Sequence, residues 1–194
     1  MQVLAARKIH IESRIREIGG EADPERFEET ILRAKEEHDS VGGIIEVTAT
    51  GCPPGLGAPA AGKLDAEIAH AMLSIGAVKG VEFGCGFAAA RMRGSVHNDT
   101  MTSAGYASNN AGGILGGIST GAPLMVRIAV KPTPSIEQPQ QTVTMDMADT
   151  TVTVKGRHDP CIVPRIGVVA ESMLALVLAD ALCEQDVILA FRSR

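Results

Sequence analysis

Residues 43–50 read Gly-Ile-Ile-Glu-Val-Thr-Ala-Thr and look like a β-strand. The order of the segments after this strand decides the fold class. Residues 51–63 are rich in Gly and Pro and read as a loop. Leu64, Ile68, Met72 and Ile75 then recur at helical spacing, with the helix capped near Gly76. A strand around 78–83 comes next, then an irregular glycine-rich stretch through 113. Residues 123–130 (Pro-Leu-Met-Val-Arg-Ile-Ala-Val) read as a buried strand. Strands and helices mix without a regular βαβ rhythm, which predicts an α+β fold rather than a doubly wound sheet.

Toward the N-terminus, residues 7–16 place Ile9, Ile11, Ser13 and Ile15 on one side. Lys8, His10, Glu12, Arg14 and Arg16 fall on the other, as in a strand with one wet face. Gly19-Gly20 ends it. Asp23-Pro24 offers an N-cap and a first-turn proline, and Phe27, Ile31 and Ala34 carry a helix to about His38. Toward the other end, 142–154 reads as a hairpin turning near Ala148-Asp149. A last helix is predicted over about 165–184, with Ile166, Val169, Met173 and Leu176 on one stripe, and a short strand at 186–191. With no repeat and no obvious linker, 1–194 is expected to form a single domain.

Composition narrows the function. Eighteen Lys plus Arg against 23 Asp plus Glu give a net charge of −5, so no overall field draws the chain to nucleic acid or an anionic membrane. Aromatics are 3%, with no Trp, which removes the stacking platforms of single-strand binders. Cys52, Cys85, Cys161 and Cys183 show neither C-x-x-C pairing nor metal-like spacing and read as small apolar residues of a reducing compartment. Arg7, Lys8 and Arg14 interrupt any signal peptide, and Glu171 and Asp180 argue against a membrane span in 166–182. A cytoplasmic protein without a metal centre is expected.

Four segments could carry chemistry. Gly57-Ala-Pro-Ala-Ala-Gly62-Lys63 has P-loop spacing, but Leu64 stands where Ser or Thr would hold magnesium, and a turn entering the next helix is the better reading. Asn109-Asn110 and Gly112-Gly113-Ile-Leu-Gly116-Gly117 suit either close backbone packing or a planar ligand lying against the chain. Lys131-Pro132-Thr133-Pro134-Ser135 is either an exposed turn or a stiff arm presenting an ammonium and two hydroxyls to a phosphate. Arg157-His158-Asp159 is either a salt-bridged surface turn or a site, with Arg157 an anion clamp and Asp159 a base kept ionised by its neighbour. His10, His38, His70 and His97 read as structural or solvated.

Together these segments resemble the chorismate synthases. The resemblance is carried by Asp39-Ser40-Val41-Gly42-Gly43, Gly51-x-Pro53-x-Gly55-Leu56-Gly57, Leu64-Asp65-Ala66-x-Ile68-Ala69, Ser74-Ile75-x-Ala77-Val78-Lys79-Gly80, Asn110 to Gly117, Lys131-Pro132-Thr133, and Gly156 to Cys161 with Glu171-Ser172-Met173. These occur in the family's order and spacing from about residue 39 onward.

The resemblance implies helices packed against antiparallel sheets, reduced FMN as cofactor, and a homotetramer. It implies a lyase of aromatic amino acid biosynthesis (the shikimate pathway). Its reaction is anti-1,4-elimination of phosphate from 5-enolpyruvylshikimate 3-phosphate, giving chorismate. Residue by residue, Gly76, Ala77, Gly116, Lys131, Pro132, Thr133, Pro134, Ser135 and Arg157 would bind the flavin. Arg157 would also meet substrate, and Asp159 would manage the proton at the flavin nitrogen. The family's Gly-x-Ser-His and Arg-x-Ser-Ala-Arg segments, with its two acid-catalyst histidines, are not found in these residues. The resemblance therefore implies the family's C-terminal half, whose N-terminal half would be a partner. The alternative is a non-catalytic folded fragment keeping part of the flavin site.

Overall fold

The computed structural model describes residues 2–192. In chain order the elements are α1 (Gln2–Ala6), β1 (His10–Ile18), α2 (Phe27–Glu36), β2 (Gly43–Thr50), α3 (Leu64–Leu73) and β3 (Val78–Phe83). Then come α4 (Gly94–His97), β4 (Met101–Thr102), β5 (Gly105–Tyr106), β6 (Ile114–Leu115) and β7 (Ile118–Ser119). The chain closes with β8 (Leu124–Val130), β9 (Gln140–Val143), β10 (Asp149–Val152) and α5 (Val163–Arg192).

The strand at 43–50 is at the centre, as its apolar run requires. The main sheet has the order β1-β2-β8-β3, every neighbouring pair antiparallel. Ile45, Val47 and Ala49 of β2 and Leu124, Val126 and Ile128 of β8 point to one face and are buried there beneath α3 and α5. The chain is thus α+β, with helices on an antiparallel sheet.

The other face is mixed, with Ile44, Met125 and Ala129 beside charged side chains. Glu46, Arg127 and Glu82 are direct cross-strand neighbours on it. Arg127 pairs with Glu82 at 3.0 Å, and the largely buried Glu46 pairs with Arg16. A bulge between Ile15 and Glu17 sets Arg16 out of register and lets it reach Glu46.

Several expectations need correction. β1 starts at His10, after Lys8 takes a left-handed φ of 58°. Asp23 does cap at Glu25 N–H (3.1 Å), but it caps a 3-10 turn, Pro24–Arg26, that leads into α2. The strand at 186–191 does not exist, because α5 runs without a break to Arg192. No Gly or Pro interrupts that stretch, and Arg7 fixes it through a two-oxygen contact with Asp186 (2.7 and 2.5 Å).

The buried stripe of α5 is also different. It is Val163, Ile166, Ala170, Leu174, Leu178 and Leu182, whereas Val169 and Leu176 are 46% and 66% exposed. A helix apolar all round hides its own phase, and packing on β1 selects it. Gly167 allows the approach, since a Cβ there would lie 2.7 Å from Ser13 Oγ. One turn on, Glu171 accepts from the Ser13 N–H (2.7 Å) and hydroxyl (2.6 Å). By length and hydropathy Val163–Phe191 could cross a membrane, yet 44% of its apolar 18-residue window is buried inside the protein.

All four cysteines are free, but they are not equally buried: Cys52 is buried, Cys85 and Cys161 are half-buried, and Cys183 is exposed. Burial raises the Cys52 thiol to about 11 and shifts Cys161 upward as well. Both stay protonated near neutrality and are poor nucleophiles. Iodoacetamide on the folded chain is therefore expected to label Cys183 first and leave Cys52 unmodified, as peptide mapping would read. Equal labelling of Cys52 would contradict this packing.

Candidate functional site

Three segments distant in sequence meet at a cavity of about 290 Å³. The C-terminal end of α2 supplies Lys35, His38 and Asp39. The segment after β8 supplies Ser135, Ile136 and Glu137, and the loop before α5 supplies Gly156 to Pro160. Each segment is placed by a local physical cause. Pro132 and Pro134 lack N–H groups and fix φ, so the chain leaves β8 as an extended arm. Gly42 permits that exit, because a Cβ there would lie 2.2 Å from the Val130 carbonyl oxygen.

Residues 37–41 tie the pieces together. The Ser40 hydroxyl donates to the Thr133 carbonyl (2.7 Å), the Val41 N–H to the Pro160 carbonyl (2.8 Å), and the Gln138 amide to the Glu37 carbonyl (2.8 Å).

Ser135, Arg157 and Asp159 line this one cavity. Their pairing is not the expected one. Asp159 is held by Arg165 Nη1 at 2.7 Å, from the first turn of α5, and not by Arg157. Arg157 is exposed at the cavity, while Arg165 reaches Asp159 from the first turn of α5, six residues on. Among the described residues the Arg157 guanidinium has no ion-pair partner.

Among the described residues two buried polar atoms lack hydrogen-bond partners, His158 Nε2 in the cavity lining and Thr133 Oγ1 on the arm. Such atoms are costly unless something satisfies them, so they mark where a polar ligand would be received.

Ala77 is tied to the start of the arm, and Gly116 is not. The Ala77 carbonyl accepts from the Lys131 N–H at 2.9 Å, at the C-terminal end of α3. Ala77 itself has a left-handed φ of 71°, and a Cβ at Gly76 would meet open space. Gly116 is in the β6–β7 turn, whose Gly117 carbonyl receives the Leu64 N–H (2.8 Å) at the opposite end of α3. Ten residues of helix separate those ends by roughly 15 Å. One chain thus brings Ser135, Arg157 and Asp159 to the cavity, whose lining includes neither Gly76 and Ala77 nor Lys131 to Pro134, and Gly116 is apart.

The P-loop-like segment is a turn into α3, with Lys63 paired to Asp65 at 3.2 Å. The carboxylate of Asp99 organises the asparagine run. Desolvation would raise its pKa, but the N–H groups of Ala111 (2.9 Å) and Asn110 (2.6 Å), the Ser108 hydroxyl (2.7 Å) and nearby His97 together lower it. His38, read as solvated, is on the cavity rim, 3.0 Å from Glu137. Nothing local in the sequence signals that, since Glu137 is distant along the chain.

Comparison with known proteins agrees with the motifs. The family model described as chorismate synthase matches residues 1–183. The chorismate synthase of Syntrophobacter fumaroxidans is 56% identical over 154 residues, covering 79% of this chain and 44% of that protein. That of Korarchaeum cryptofilum is 54% identical over 160 residues, covering 80% and 44%. A crystal structure of chorismate synthase superposes with a TM-score of 0.77 at 35% identity, over 94% of this chain and 59% of that one. The chain spans less than half the length of these curated relatives.

Proposed function

This chain belongs to the chorismate synthase family, and on that premise we propose that it carries the arm-and-clamp part of the FMN and substrate site. The reaction is conversion of 5-enolpyruvylshikimate 3-phosphate to chorismate and inorganic phosphate. In it one C–H and one C–O bond break across a 1,4 relationship, a C=C bond forms, and phosphate leaves with the electron pair of the C–O bond. The observation that carries the reading is the meeting of Ser135, Arg157 and Asp159 at one cavity, with the guanidinium uncommitted.

The residues present fit a phosphate-bearing, polar cofactor. Lys131 and the Thr133 and Ser135 hydroxyls, spaced along a proline-stiffened arm, would hold its phosphate. The orphaned Thr133 Oγ1 and His158 Nε2 are donors or acceptors in wait for it. Pro132 and Pro134 keep the arm extended, and the backbone at Gly76-Ala77 would let the ring approach. Gly116 would take part only from elsewhere in an assembly, consistent with the family's homotetramer. Reduced FMN would supply electron density that helps expel phosphate from a carbon framework with no activated hydrogen.

The side chains then have separable tasks. Arg157 would bind an anionic group of cofactor or substrate and stabilise the departing phosphate. Asp159, held in place by Arg165, would take up and release a proton at the flavin nitrogen. A cytoplasmic location and partnership with a segment carrying the family's remaining motifs complete the proposal.

Loss of a charge-assisted hydrogen bond gives the expected size of one effect. Arg157→Ala should weaken FMN binding about ten- to a hundredfold, measured by anaerobic fluorescence titration. An unchanged affinity would remove Arg157 from the flavin site.

The test of the function is anaerobic turnover of 5-enolpyruvylshikimate 3-phosphate with reduced FMN, following phosphate and chorismate together. Turnover by the chain alone would place the whole reaction on these residues. Turnover that needs an added N-terminal family segment supports the site as one part of two. Flavin binding with no turnover in either case would favour a non-catalytic fragment, a reading that the coverage of 44% also suits.

A further inference from the structure

Two basic side chains of the cavity are engaged by nothing in the chain. Lys35, at the C-terminal end of α2, and Arg157 both line it, and among the described residues neither has an ion-pair partner. The three acids of the lining are all engaged. Asp159 is paired with Arg165 (2.7 Å), Glu137 is 3.0 Å from His38 Nδ1, and Asp39 accepts from the Ser40 N–H (2.8 Å). The charges left over for a ligand are positive, so the ligand they suit is an anion.

His158 adds a directional group. Its Nε2 is buried in the lining without a partner, an arrangement that costs stability unless something satisfies the nitrogen. The ring lies over Gly156, where a Cβ would come 3.8 Å from Nε2 and 3.9 Å from Cε1. With no side chain at 156, the ring has room to turn that nitrogen toward the cavity. An imidazole N–H, a guanidinium and an ammonium are a donor set for a phosphate monoester, whose oxygens each accept more than one bond. Ser135, also in the lining, adds a hydroxyl.

We propose that the cavity is a phosphate-reading subsite in which Lys35 and His158 act with Arg157. These two residues decide between phosphorylated and unphosphorylated ligands. About 290 Å³ is at the small end for a whole ligand, since such pockets run roughly 300–1,000 Å³. Neither Gly76 nor Ala77 lines it, so the charged end of a ligand suits it and a flavin ring does not. The phosphate is that of the cofactor or that of the substrate, and the experiment separates the two. This inference deepens the reading of the cavity as part of an FMN and substrate site and rests on that reading for the ligand's identity.

His158→Phe keeps the ring's volume and removes its nitrogens, whereas His158→Gln keeps a donor. In the full chain His158→Phe is expected to melt at an equal or higher temperature, because an unsatisfied buried nitrogen is gone. The ratio of riboflavin to FMN dissociation constants, from fluorescence titration, should fall about three- to tenfold in His158→Phe and recover in His158→Gln. Lys35→Gln should lower the same ratio and weaken its salt dependence, with an unchanged melt because the side chain is exposed. A side chain that only packs the loop would lower the melting temperature and leave the ratio alone.

If the phosphate read is the substrate's, the flavin ratio stays fixed in both variants. The dissociation constant of inorganic phosphate, followed by phosphorus NMR, then rises about three- to tenfold instead. The subsite is overturned if His158→Phe changes neither readout. Riboflavin and FMN that bind equally well to the parent chain, with no binding of inorganic phosphate, overturn the subsite and keep a flavin site. Phosphate binding that His158→Phe weakens, in a chain that takes up no flavin, keeps the subsite and removes the flavin reading. Binding of neither overturns both.

Discussion

Asp159→Asn is expected to leave FMN affinity within about twofold and to lower turnover by about 10²–10⁴, the range for loss of a positioned acid–base group. Asparagine keeps the shape and can still accept the bond from Arg165 that fixes the loop to α5 (2.7 Å in the parent chain). Its loss is the ability to take a proton. Because the ion pair with Arg165 is partly exposed, its removal should change stability by less than about 1 kcal/mol. Binding, folding and turnover are thus predicted to separate in one variant. Titration of the flavin and a thermal melt, run beside the anaerobic assay, check all three. Turnover equal to the parent's would take the proton-handling role away from Asp159, and a collapsed melt would make its role structural.

The second large effect is on the arm. Gly42→Ala should destabilise the chain by about 3 kcal/mol or more, equivalent to a fall in melting temperature of roughly 6–12 °C. The added Cβ would fall 2.2 Å from the Val130 carbonyl oxygen, 3.0 Å from Pro132 N and 3.1 Å from the Lys131 carbonyl carbon. All three are backbone atoms at the point where β8 becomes the arm, so no rotamer change relieves them. Relief requires moving the arm away from Ala77 and Ser40, and flavin affinity should fall with stability. Gly76→Ala is the matched control, since a Cβ there meets nothing within 4 Å. It should melt within about 0.5 kcal/mol of the parent. Equal melts for the two variants would mean that the arm is not packed against residue 42.

Both predictions combine something readable in the chain with something that is not. The Lys-Pro-Thr-Pro-Ser run announces a stiff, polar arm, and Gly-Arg-His-Asp-Pro announces a charged loop before a helix. Neither says which arginine meets Asp159. The nearer in sequence, Arg157, is the natural choice, but proline and a helical turn bring Arg165 there instead. His38 shows the same gap from the other side. In sequence it is a polar residue at a helix end, and only the folding of Glu137 back across α2 makes it part of a cavity. Gly116 belongs to a glycine run of the right composition, yet α3 holds it away from the arm.

The division comes from the range of the forces. The strands at 43–50, 78–83 and 124–130, the helix beginning at Leu64, the cap at Asp23 and the family motifs are local facts. Each depends on periodicity, a proline or a glycine within a few residues, so the chain of residues was enough to establish them. The α+β class came with their order. Packing in three dimensions set the phase of α5, whose aliphatic residues on every side gave no preferred stripe until β1 and Ser13 supplied one. Packing also set the continuation of that helix to Arg192, the pairing of Asp159 and the position of His38. Those are contacts between residues far apart in the chain, selected by shape and charge after the local elements exist.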